Sequence, residues 1–300
     1  MALATLCMAC MDATSKYLVA RYPAPFVVWI RYALQTLVLV AVLAPRMRGR
    51  LVATRSLSLQ IVRSVTLVAT SLLLVAAFRA MPLADATAIS FAAPSIVTIL
   101  AIALLGERVT MARVASVVAG FAGVVLIVRP GTDVFRGAAL LPLIAATTTA
   151  AYQVLTRKLA GDDTRAMLFY SSAVGAVILS LFLPWRGFAH DFGAGDVVAM
   201  AALGLLAIAG HFLFIRALQL APASGMASIT YVQLVFATLI GLVVFGDFPD
   251  ALTLVGMAVI LASGVFLTWY ERRRSGAPVV SPVRAATAAS PTRAPPAAGD

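Results

Sequence analysis

Charge is scarce in this chain of 300 residues: Asp, Glu, Lys and Arg together make up only 12%. Soluble domains carry about 25% charged and about 45–50% apolar residues. Here 62% is hydrophobic and the mean hydropathy is +0.99. Such a composition excludes an ordinary water-soluble enzyme and a disordered chain. Two cysteines are too few for a disulfide scaffold, and two histidines cannot make a multi-histidine metal site within one chain. No phosphate loop, nucleophile elbow, His-Glu-x-x-His motif or dinucleotide fingerprint is present. No catalytic residues, metal ligands or cofactor are therefore expected. Any uphill work must draw on gradients, since no motif here hydrolyses ATP.

What the chain has is long apolar runs. Broken by charge and Gly/Pro signals, they fall near 2–20, 25–44, 57–79, 84–105, 110–128, 137–158, 164–184, 196–220, 223–245 and 251–270. A membrane helix needs roughly 20 apolar residues, so ten helices take about 200 residues and leave only short connections. The expected class is all-α and polytopic. The first run lacks the charged start and small-residue cleavage site of a signal peptide and reads as a membrane helix. An even number of helices puts both termini on one side. If that side is the cytoplasm, its face collects fourteen Lys/Arg, five of them in the tail, against six on the other. The net charge of +11 is thus spent on orientation, and no basic module for nucleic acid is expected. Residues 272–300 carry five prolines with many Ala and Ser and read as a disordered cytoplasmic tail. Arg272, Arg273 and Arg274 there suit anionic headgroups.

The chain repeats itself. Residues 78–107 and 215–247 both open on Arg-Ala-x-x-Leu-Ala, at Arg79 and Arg216, and both close on Gly-acid, at Gly106–Glu107 and Gly246–Asp247. Ser15-Lys16-Tyr17-Leu18 parallels Thr156-Arg157-Lys158-Leu159. The predicted units are 1–131 and 137–271, five helices each. Five is odd, so the second unit enters the membrane from the opposite side and the repeats are inverted. Inverted repeats mark secondary transporters, with the substrate site near midplane.

The sequence resembles the drug/metabolite transporter superfamily, specifically EamA-type ten-helix transporters. The matching residues are Pro94 with Leu105-Gly106-Glu107-Arg108, its partner Phe245-Gly246-Asp247, and Ala80-Met81-Pro82-Leu83-Ala84-Asp85-Ala86-Thr87. The opening Met11-Asp12-Ala13-Thr14-Ser15-Lys16-Tyr17-Leu18 with Trp29-Ile30-Arg31-Tyr32 matches too. The resemblance covers about residues 1–271. It implies a ten-helix basket with a central cavity, and export or exchange of amino acids, nucleosides, riboflavin, S-adenosylmethionine or similar metabolites. The opening motif looks most like the S-adenosylmethionine and riboflavin branch. Leu234 stands where the family pattern has proline, which puts a kink of the ninth helix in question.

Charged groups at membrane depth cost roughly 2.5–3.5 kcal/mol on insertion scales and are expected to pair or to face a cavity. Asp12 and Arg31 lie at similar depth on consecutive helices, near 12 Å and 9 Å at about 1.5 Å per residue. They form an expected pair that Lys16, one turn on, can join. Arg63 begins a polar stripe with Thr66 and Thr70; it either snorkels to headgroups or recognises an anion. His211 is either a proton-coupling group or a hydrogen-bonded packing residue. Tyr152, Gln153, Tyr170, Tyr231 and Gln233 are uncharged polar groups that suit either a ligand or helix–helix hydrogen bonds. Pro94, midway along the fourth helix, is the hinge candidate. Arg79 and Arg216 are expected to meet helix C-terminal carbonyls. Trp29 is expected at the interface. Cys7 and Cys10 are expected to pack as apolar residues.

The leading reading is a secondary transporter of a small metabolite in the inner membrane, working by alternating access and not an enzyme. Its partners are the metabolite and the lipid bilayer, with a homodimer as one oligomeric option. The alternatives are a membrane-embedded enzyme or lipid-handling protein, and a non-transporting structural or sensory membrane protein.

Overall fold

The computed structural model describes residues 2–105, 109–130, 137–183, 192–220 and 231–274. Their regular structure is entirely helical. In chain order the helices are α1 (Ala2–Val19), α2 (Ala24–Met47), α3 (Leu57–Ala80), α4 (Leu83–Ser90), α5 (Ala93–Leu105) and α6 (Met111–Val128). They continue with α7 (Leu140–Lys158), α8 (Thr164–Phe182), α9 (Ala194–Leu220), α10 (Val232–Phe245) and α11 (Ala251–Arg274). The Gly106–Glu107–Arg108 motif, the start of the ninth apolar run and the tail from 275 lie outside the described residues.

Among the described residues, eight spans are long and apolar enough to cross a membrane, and α10 is a shorter apolar helix. The outer faces are apolar: Leu37, Val118, Leu181, Leu205 and Val243 are all exposed. In water such a surface would aggregate; in hydrocarbon it is the solvated face. The protein is thus an all-α polytopic membrane protein.

Local chemistry sets the ends. Pro82, preceded by extended Met81, starts α4 immediately after α3 stops. Asp163 caps α8 by accepting the Arg165 N–H at 2.7 Å. At the far end of α10, Gly246 takes φ +71, and the N–H groups of Gly246 and Asp247 return to Leu242 and Gly241 at 3.1 Å. This is the left-handed glycine stop of a Schellman motif, the physical reason for the Gly-acid ending.

The expected single run over 84–105 is two helices. The chain turns at Phe91–Ala92, where the Ala92 N–H bonds back only to Ile89 at 3.0 Å. Pro94 is the cause: with no N–H it cannot close the helical bond to Ser90, and its ring suits only the first turn of a new helix.

Packing follows the repeat. α1 packs on α9 as α7 packs on α3, α1 meets α10 as α7 meets α5, and α2 meets α9 as α8 meets α3. α2 pairs with α8, and α6 with α11, across the pseudo-two-fold axis. The α6–α11 pair is close because glycines face each other. A Cβ on Gly123 would come within 2.8 Å of the Gly256 carbonyl, and one on Gly256 within 2.7 Å of that of Gly123.

Candidate functional site

The helices around the axis line a partly open cavity of about 150 Å³. Its wall is mainly apolar, with Met8, Met11, Leu74, Phe78, Phe91 and Phe214. A few polar groups converge on it: Asp12, Arg31, Thr70, Thr87, Ser90, Tyr152, Gln153, His211 and Gln233. Both repeats contribute. Pro94 and Phe91 bring the α4–α5 break to the same wall, which is where a membrane protein tolerates unsatisfied backbone.

The polar groups differ in how well they are held. Asp12 is buried and accepts a hydrogen bond from Gln233 Nε2 at 3.1 Å, a contact between repeats. The expected Asp12–Arg31 ion pair is not made. Arg31 instead lies over the Tyr32 ring at 4.7 Å and points Nη1 at Met11 Sδ at 3.8 Å. It is 3% exposed, and its Nε and Nη2 are buried without hydrogen-bond partners. Thr87 Oγ1 on the same wall is likewise buried and unpartnered, as are Gln35 Oε1, Thr36 Oγ1 and Asp85 Oδ1 away from the cavity. Each unmade bond of this kind costs about 1–3 kcal/mol.

His211 Nδ1 sits 3.0 Å from the Ala207 carbonyl. A carbonyl only accepts, so Nδ1 carries the proton and Nε2 is left as the free ring position. Thr70 and Thr148 join α3 to α7 through a hydroxyl pair at 2.6 Å.

Other expected site residues lie elsewhere. Lys16 is not joined to Asp12; it pairs with Asp247 at 2.5 Å and lies over Phe245 at 4.7 Å, tying α1 to the end of α10. Tyr170 donates to the Val52 carbonyl at 2.8 Å, at an exposed position. Tyr231 packs on Phe91 at 5.3 Å and against Gly264, behind the cavity wall. Arg79 and Arg216 are exposed and, among the described residues, make no hydrogen bond to helix-end carbonyls. Trp29 donates to Ser180 Oγ at 2.8 Å.

Arg63 lies outside the cavity and is fully buried at one end of the bundle. Its Nε donates to Gln60 at 3.2 Å, Nη1 to Thr156 at 3.4 Å, and Nη2 to the Met167 carbonyl at 2.5 Å and Ser171 at 2.8 Å. Gln60 in turn donates to Asp162 at 3.0 Å, which also accepts from Thr54 and from the Arg55 backbone. Nothing in the sequence pattern singled out Asp162, a turn acid with an acidic neighbour. At the opposite end Arg21 and Tyr22 both donate to Asp196 at 2.8 Å. In each case the first turn of one repeat meets the start of the third helix of the other. The bundle is thus closed by polar contacts between repeats at both ends.

Fold and site together define a polytopic helical membrane protein built from two related halves around a partly charged central cavity. The chain belongs to the EamA-like transporter family, whose model matches residues 1–129 and again 136–269. It is 29% identical over 196 residues to an S-adenosylmethionine uptake transporter of Rickettsia bellii, covering 64% of this chain and 66% of that one. The match therefore spans just under two thirds of that relative's length. It is 30% identical over 210 residues to a riboflavin transporter of Rhizobium johnstonii, 68% of each chain. It is 28% identical over 271 residues to the pseudopaline exporter CntI of Pseudomonas aeruginosa, 89% of this chain and 93% of that one. A solved crystal structure at 19% identity shares the fold, with a TM-score of 0.63 over 91% of this chain and 99% of that one.

Proposed function

We propose that the chain is a secondary transporter that moves a small metabolite across the bacterial inner membrane by alternating access. The observation that carries this reading is the partly charged cavity on the axis between two inverted halves. Two related packings of such halves open the same site to either side in turn. The Asp162 contacts at one end and the Asp196 contacts at the other are the interactions that must part alternately. Small-molecule pockets usually hold about 300–1,000 Å³, and this cavity is about 150 Å³. A cargo the size of S-adenosylmethionine or riboflavin therefore enters only as the helices separate.

The units are 1–131 and 137–271, the termini face the cytoplasm, and a homodimer is compatible with the lipid-exposed faces. Chemistry on the cargo plays no part. Counterflow in proteoliposomes tests the proposal, with labelled S-adenosylmethionine, riboflavin, amino acids and nucleosides. Saturable uptake that ceases when unlabelled cargo is withheld from the lumen is the expected result. Covalent change of a compound by detergent-solubilised protein, without two compartments, would replace the carrier by an enzyme.

A further inference from the structure

We infer that the cargo is a zwitterion, with its carboxylate taken by the Arg31 fork and its ammonium by Asp12; this rests on the carrier reading above. The unpartnered nitrogens of Arg31 are Nε and Nη2. These two share one edge of the guanidinium, and their N–H bonds point the same way. That edge matches the two oxygens of a carboxylate, which it binds through two parallel hydrogen bonds. The remaining nitrogen, Nη1, is directed at the Met11 thioether, a weak acceptor. The Tyr32 ring under the guanidinium holds its plane without using its donors.

Asp12 explains why the cargo carries a positive group as well. It lines the same cavity, is 8% exposed, and accepts through Oδ2 from Gln233. A simple anion satisfies Arg31 but stays beside an uncompensated carboxylate in a low-dielectric site. A zwitterion cancels both wall charges and leaves the loaded cavity neutral while the helices move. Lys16, the nearest other charge on α1, is occupied by Asp247 and does not compete for Asp12. The apolar wall of Met8, Phe78, Phe91 and Phe214 accommodates the rest of the molecule.

The test uses the full-length protein and matched probes: the proteinogenic amino acids and S-adenosylmethionine, their decarboxylated amines, their deaminated acids, and riboflavin and uridine. Binding is read by thermal shift and transport by counterflow. At least one zwitterion is expected to bind and exchange, its decarboxylated form roughly 100-fold more weakly, the loss expected for two charge-assisted bonds. Arg31→Gln should erase that difference, and Asp12→Asn should erase the preference for the ammonium. A second readout needs no ligand: in an Asp12→Asn background, where no opposing carboxylate is left stranded, Arg31→Gln should unfold at the temperature of Asp12→Asn or above it, because a buried charge without hydrogen-bond partners has been removed. Unfolding several degrees lower in that background, for Arg31→Gln and Arg31→Lys alike, makes Arg31 structural and overturns the inference. Exchange of riboflavin or uridine with no zwitterion bound also overturns it, and leaves the carrier reading intact. No exchange of any compound by folded protein ends both.

Discussion

Arg31 and Arg63 are both buried guanidinium groups in neighbouring membrane helices, 3% and 0% exposed, but they are held in opposite ways. Every nitrogen of Arg63 has an oxygen partner, drawn from α3, α7 and α8. Two of the three nitrogens of Arg31 have none. Around Arg63 the polar groups form a closed network that ends on Asp162. Around Arg31 they surround open volume. A satisfied network joins helices and resists change; an unsatisfied one keeps free energy in reserve for a partner. Burial of charge alone says nothing about which of the two is at hand, and the partner inventory decides it.

Substitution at Arg63 removes the satisfied network itself. Arg63→Met should cost about 3–5 kcal/mol, because Gln60, Ser171 and the Met167 carbonyl lose their donor inside the bundle. Thermal unfolding in detergent checks this, and a change under about 1 kcal/mol would remove the contrast with Arg31. The cavity side is sharpened by Asp12→Asn. It keeps the acceptor for Gln233, so stability should change by less than about 1 kcal/mol while exchange falls by roughly tenfold or more. Equal losses of stability and transport would make Asp12 a packing residue like Arg63.

Gly256→Val probes a region where neither polar network is involved. The added side chain meets the Gly123 carbonyl and Ile127, and overpacking of this kind costs about 1–3 kcal/mol. Cargo discrimination in the surviving folded fraction should be unchanged.

The smallest effect is expected at the membrane surface. Asp250 accepts from Arg129 and from the Thr253 N–H at the start of α11. The Arg129 hydrogen bond first, then that N–H, hold its carboxyl at about 2, below the ordinary 3.8, against the opposing effect of burial. A depressed folded value means that the carboxylate's contribution is complete above the ordinary value and is lost as pH falls through about 2. Asp250→Ala should lower stability by about 0.5 kcal/mol, the low end for a lost cap, because the Asp250 side chain is 55% exposed. The gap between parent and variant in unfolding temperature should close between pH 5 and pH 2. A gap that stays constant would rule out titration of Asp250 as its source.

Much of this was readable along the chain. The apolar runs, the internal repeat and the odd number of crossings follow from hydropathy and spacing, because a bilayer demands helices of a set length. Pro94 marked the break in the fourth run, because the missing N–H is a property of the residue itself. Asp12 and Arg31 were legible as buried charges of similar depth. That they do not pair was not: Gln233, more than two hundred positions away, claims one, and Tyr32 with Met11 holds the other. Lys16 has the right helical offset for Asp12 but the other partner, since Asp247 arrives from the second repeat.

Residue order alone shows that the chain spans a membrane many times, that it is built twice over, and where its few charges lie in depth. Those are one-dimensional properties, set by residue type and by distance along a helix. Which charges meet, which are satisfied and which face the central cavity follow from the way the helices pack. Those outcomes depend on the rotation of each helix about its own axis and on contacts between halves, and neither is encoded in any single run of residues.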